Sequence, residues 1–220
     1  MAYTNGFRLL FIAAACTAVV GCSSVEPVKY SGIDSSNYLR SNMSGDADRV
    51  PYRYNVEHNW QTYKKLMIDP VVVYHGQDNQ FDGMSDTDKT ELAKYMSDTF
   101  AKKLGTRFEL AHEPSPATLR MTLTLTGAEG TTPFLGQFTH FDIGGTLYNG
   151  VQAARGGKAL FGGSVTYAVE VRDATTNELL YAEVAHQYPN AMNIGAAFGS
   201  LGAAKTGIDK GAEALAARFN

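Results

Sequence analysis

Few residues of this chain are of a type and spacing that could do chemistry. Its only thiols are Cys16 and Cys22, both at the N-terminal end of 220 residues. Everything after them lacks cysteine, so the body can form neither a disulfide framework nor a cysteine-based metal site. A serine nucleophile on a strand-to-helix elbow needs glycine two places before and after it. Ser200 has Gly202 after it but Phe198 before it, and Ser164 sits between Gly163 and Val165 inside an alternating stretch. Neither fits. The histidines, His58, His75, His112, His140 and His186, contain no pair four apart on a helix, the spacing that places two imidazoles on one metal. His140 and Asp142 could supply two ligands from one loop, but two are too few. Asp82, Asp86 and Asp88 around Gly83 lack the spacing and closing glutamate of a calcium loop. They read instead as acids favouring the start of a helix. There is no phosphate-binding loop and no dinucleotide fingerprint. The residues therefore predict a protein that is not an enzyme, with no cofactor and no metal.

Cys22 stands apart because of what precedes it. Arg8 is the only charge before it, and Leu9 to Val20 run almost wholly apolar. That pattern is a secretory signal, too short to span a ~30 Å hydrocarbon core comfortably as a helix. The sequence Val19-Val20-Gly21-Cys22-Ser23-Ser24 resembles the lipobox of bacterial lipoproteins, with Val20 bulkier than is usual there. The resemblance implies cleavage before Cys22, acylation of its thiol, and attachment to a membrane through the acyl chains. Each buried CH₂ is worth ~0.8 kcal/mol, and stable anchoring takes two or more chains. Ser23 stands where an aspartate would signal inner-membrane retention in enteric bacteria, so the expected destination is the outer membrane, on its periplasmic face. Cleavage removes only Arg8 from 19 basic residues; the remaining 18 against 22 acidic residues give a formal charge of −4. That charge argues against a nucleic-acid partner.

The elements that follow are legible from their periodicity. Residues 22–51 are polar and rich in Ser, Asn, Asp and Gly, and read as a flexible lipidated tether reaching tens of ångströms. Tyr30-Ser31-Gly32 and Tyr38-Leu39 are the places within it that could dock. Residues 52–220 read as a single periplasmic domain. The aromatic cluster Tyr52, Tyr54, Trp60 and Tyr63, with His58, reads as a lid over a core. Lys65 to Tyr74 is a β-branched strand with Pro70 at its start or at an edge. Ser85 caps a helix to Leu104, with Asp88 as capping-box partner and an apolar face of Leu92, Tyr95, Met96, Thr99, Phe100 and Leu104. Thr118 to Thr126 alternates with period two, so one face is buried. Residues 127–163 are glycine-rich without a clean period and read as a long insertion. Ser164 to Arg172 and Leu179 to Tyr188 form a hairpin, and Gly202 to Phe219 a final helix on Ile208, Ala212, Leu215 and Phe219. The fold class expected is α+β, a mostly antiparallel sheet with helices packed on one face.

Several of these segments together resemble a family of small bacterial lipoproteins known by domain of unknown function 3313. They are Tyr30-Ser31-Gly32 with Tyr38-Leu39, the run Tyr63 to Val71, the strand Leu119 to Leu125, and the hairpin Val169 to Leu180. The family usually has glycine where this chain has Asn177; asparagine tolerates a left-handed conformation, so the turn survives. The resemblance brings no activity and no catalytic residues.

The expected function is a binding or scaffolding component of the cell envelope, with an envelope protein as partner. Two alternatives come from other classes. One is an envelope hydrolase with a non-standard site in the insertion. The other is a structural protein that self-associates through the small residues Gly195, Gly199, Ala203, Gly207 and Gly211, spaced every four.

Overall fold

The structure, a computed structural model, describes residues 26–81, 83–130, 163–190 and 199–220. The long central strand is β6 (Thr118–Glu129), flanked on one side by β7 (Ser164–Asp173) and β8 (Leu179–Gln187). Beyond β8 lie β2 (Tyr52–Asn55) and the short edge strand β1 (Arg40–Ser41). On the other side of β6 come β3 (Lys65–Ile68) and β5 (Glu109–Leu110), while β4 (Val72–Val73) continues the β3 track along β6. The order is β1-β2-β8-β7-β6-β3-β5.

The fold is α+β, but the sheet is mixed rather than mostly antiparallel. Strands β3 and β4 run parallel to β6, and β5 runs parallel to β3; the other pairings are antiparallel. Alternation reports which face of a strand is buried, not which way the strand runs. The direction follows from α1 (Asp86–Leu104), which crosses over between β4 and β5 and returns the chain parallel. The expected strand Lys65 to Tyr74 is broken at Asp69-Pro70-Val71. Pro70 cannot donate to the ladder, and Asp69 instead accepts from Arg120 Nε (2.9 Å) and the Thr122 hydroxyl (2.9 Å) on β6.

The helices form as their sequences direct. The Ser85 hydroxyl accepts from the Asp88 backbone N–H and donates to the Asp88 carboxylate, closing the first turn of α1. The second helix, α2 (Gly202–Arg218), buries Ile208, Ala212 and Leu215, with Phe219 at its end. Both helices lie on the same face of the sheet. Leu92, Met96, Phe100 and Leu104 of α1 and the α2 stripe meet Leu119, Met121, Leu123 and Leu125 of β6 and Val165, Tyr167, Val169 and Val171 of β7 in one core.

Residues 26–50 are where the structure departs furthest from the tether reading. They lie as a strap across the opposite face of the sheet. Tyr30, Ile33 and Leu39 are buried against Ala168, Ala182 and Val184, with Tyr52 and Tyr54 packed alongside. Apolar side chains spread thinly through a polar segment were too few to read as a periodic element. Three successive turns, closed by the Ile33, Ser36 and Tyr38 N–H groups, bring them onto one surface. The aromatic cluster divides accordingly: Tyr52 and Tyr54 serve the strap side, Trp60 and Tyr63 the helix side.

Two glycine readings are also corrected. Gly127 to Glu129 belong to β6, not to an insertion. A Cβ at Gly127 would stand 2.7 Å from the Gln80 carbonyl oxygen, so only glycine lets the Gln80 segment bridge to this strand. The small residues of α2 face the sheet: a Cβ at Gly207 would meet Val165 and Gln187, and one at Gly211 would stand 1.7 Å from the Tyr167 hydroxyl. Gly207 and Gly211 thus let the helix approach its own sheet, and are not available to a second molecule. Gly195 lies outside the described residues.

Candidate functional site

Cys22, His140, Asp142, Asp82 and most of residues 127–163 lie outside the described residues. Of the other chemistry-bearing candidates, none converge. The Ser164 hydroxyl donates to Glu129 Oε2 (2.7 Å), a contact between neighbouring strands. Ser200 is exposed at the turn before α2. Among the described residues no three of His, Cys, Asp and Glu are grouped to hold a metal. One hydroxyl meets an imidazole, Thr166 Oγ1 to His186 Nδ1 at 3.0 Å. Both are buried beneath the strap side, so a substrate has no approach to that pair while the strap is docked.

What the fold does bring together, and the sequence reading missed, is two polar networks that fix the strap and its continuation. At the first, the Tyr74 hydroxyl donates to Asp78 Oδ1 (2.6 Å) and accepts the Gly32 N–H (3.0 Å). The Ser31 N–H donates to Asp78 Oδ2 (2.8 Å). The Tyr30 hydroxyl donates to Gln80 Oε1 (2.6 Å), and Gln80 Nε2 donates to the Glu26 carbonyl (2.7 Å). Tyr30 adopts φ 52°, a conformation a tyrosine holds only where its surroundings fix it. Its side chain is fully buried, and desolvation pushes its hydroxyl up to about 12. The bonds from Tyr74 and the Ser31 N–H hold Asp78 below the usual carboxylate range. Further along, the Ser35 N–H donates to buried Glu170 Oε1 (2.7 Å) on β7.

The second network closes the β1–β2 loop over the end of α2. Arg53 on β2 stands opposite Glu183 on β8. Its guanidinium bonds Asp46 Oδ2 (2.5 Å) and comes within 4.0 Å of Glu183. Arg218 of α2 reaches the same Asp46 oxygen at 3.3 Å. The Tyr181 hydroxyl donates to Glu183. Desolvation raises the Glu183 carboxyl against the pull of Tyr181 and Arg53. Asp46, bonded by Arg53, is held low. A carboxylate raised by burial and partnered by arginine is a pattern found at functional sites and in structural ion networks alike. Here both ends are occupied by partners within the chain, so the arrangement binds the loop, β8 and α2 to one another.

The strap is part of the unit that defines the family. A family model described as "Protein of unknown function (DUF3313)" matches residues 29–215, from the start of the docked strap to the last turn of α2. The chain belongs to this family. DUF3313 carries no assigned activity, and no curated protein matches the chain. Among solved structures, two dodecamers of PelC from Paraburkholderia phytofirmans are similar. One is a single-substitution variant at 11% identity, covering 76% of this chain and 95% of that one with a TM-score of 0.37. The other is at 8% identity, covering 69% and 88% with a TM-score of 0.36. Likeness at this level carries no conclusion about this DUF3313 chain. None of its described helices is long and apolar enough to cross a membrane.

Proposed function

We propose that this protein is an outer-membrane lipoprotein, anchored through acyl chains on Cys22, whose periplasmic body acts by binding or scaffolding another envelope component and not by catalysis. The observation that supports the reading is the placement of Cys22 directly after Gly21 at the end of the apolar run Leu9 to Val20. The body adds a second support. The hydrogen bonds of its described polar networks are made within the chain and hold the strap and the β1–β2 loop, which suits a carrier of fixed surfaces better than a reaction centre.

Metabolic labelling with a fatty acid, followed by membrane fractionation, tests the anchor. Wild type should carry label and sediment with the outer membrane, and Cys22→Ala should do neither. A labelled Cys22→Ala protein in the outer-membrane fraction would refute it. Crosslinking in intact cells tests the second half: a specific envelope protein recovered with wild type but not with Cys22→Ala supports a scaffold, and recovery of the bait alone counts against one.

A further inference from the structure

The strap fixes where the anchor must leave the body. The Glu26 carbonyl is held by Gln80 Nε2, and Gln80 is itself bonded into the end of β6: its N–H donates to the Thr126 carbonyl (2.8 Å) and its carbonyl accepts the Ala128 N–H (3.1 Å). That is the end of the sheet where β6 finishes at Glu129, β7 begins at Ser164 and β8 finishes at Gln187. Only Ser23, Ser24 and Val25 separate Glu26 from Cys22. Four Cα-to-Cα steps span at most about 14 Å. The opposite end of the same strands carries the Ala174 to Glu178 turn, and β6 extends roughly 36 Å between the two at ~3.3 Å per residue.

We infer that the protein does not swing on a long leash but is held with the Glu129/Ser164/Gln187 end of its sheet directed toward the bilayer, the Ala174 to Glu178 turn pointing away. The inference rests on the reading of Cys22 as the anchor. The orientation is imposed by chain length: the strap consumes the segment that composition alone would assign to a tether. Exposed Glu26 and Asp86 and half-buried Asp88 stand at this end, so the orientation is argued from chain length and not from attraction to anionic lipid.

The test uses the full acylated protein, with Cys22 occupied by its lipid. A single donor dye is placed on Gln77→Cys or on Thr176→Cys, both exposed positions at opposite ends. Each protein is reconstituted in phosphatidylethanolamine/phosphatidylglycerol vesicles carrying an acceptor dye on a fraction of the headgroups. Energy transfer from position 77 should exceed that from position 176 several-fold. A twenty-residue Gly-Ser linker inserted between Val25 and Glu26, whose root-mean-square span is about 25 Å, should lower transfer from position 77 to the level of position 176. Equal transfer from both positions, in protein that floats with the vesicles, overturns the orientation and leaves the anchor standing. Protein that does not float overturns the anchor reading itself.

Discussion

The two faces of the sheet are closed by different means. The helix face is covered by nineteen residues of α1 and seventeen of α2, with aliphatic and aromatic side chains meeting over the whole length of β6 and β7. The strap face is covered by an irregular segment that lays Tyr30, Ile33 and Leu39 on the sheet and adds a handful of directed hydrogen bonds. Area holds the first, and geometry the second. Hydrophobic burial scales with area, at ~25 cal/mol per Å², whereas a net hydrogen bond contributes about 1 kcal/mol. The helix face should therefore set the stability of the whole body, and the strap should be able to open without unfolding it.

The largest effect is expected on the helix face. Phe100, fully buried and edge-on to Tyr167 with ring centres 5.7 Å apart, should cost about 3–5 kcal/mol when changed to alanine, in a single global transition measured by denaturant unfolding. Next comes Gly211→Ala, whose new methyl would collide with the Tyr167 hydroxyl. A loss of about 2 kcal/mol is expected. Tyr167→Phe removes a hydroxyl that is buried without a hydrogen-bond partner among the described residues, so it should be neutral or stabilising alone and should restore part of the Gly211→Ala loss in the double variant.

On the strap face the effects should be smaller and local. Tyr74→Phe removes the donor to Asp78 and the acceptor for Gly32. It should speed hydrogen exchange of the Gly32 and Ser36 to Leu39 amides by roughly tenfold, about 1.4 kcal/mol of local opening, while exchange in β6 and β7 hardly changes. A uniform increase across both regions would mean that the faces are not separable.

Acid should separate the two regions by sign. Asp78, which holds the strap, is depressed below its ordinary 3.8, so its contribution is present above that value and lost as pH falls through the lower folded-state value. Glu183, beneath the helix side, is raised above its ordinary 4.5, so ionising it costs stability that is not lost below that pH. Glu183→Gln should leave stability near wild type at pH 4 and raise it modestly at pH 8. Amide exchange in the strap should accelerate below about pH 4 before the helices open.

The difference between the faces also explains what the amino-acid sequence disclosed. Helix α1 was legible to its capping serine, because Ser85, Asp88 and the Leu92 to Leu104 stripe are local signals within one element. The hairpin of β7 and β8 was legible too, and Asn177 adopts φ 61°, the left-handed conformation its position required. The strap was not. Tyr30 finds Gln80, Ser35 finds Glu170 and Asp46 finds Arg53, each through a contact that no local period encodes. Gly127 falls within the expected insertion, and Gly211 fits either a self-association ridge or a helix packed on its own sheet, because a glycine's use depends on what presses against it. The parallel run of β3 and β4 was hidden for a similar reason: strand direction is a property of the crossover. Of the candidate sites, Cys22 is the one the proposed function rests on, since the pattern that points to it is written in consecutive residues.

Acylation of Cys22 is tested most directly by the intact mass of the protein purified from its own membrane in detergent. A mature chain beginning at Cys22, heavier than its polypeptide by a diacylglyceryl group and carried into the membrane by it, is the predicted result. A mature chain with an unmodified Cys22 thiol, or one beginning at another residue, would contradict it.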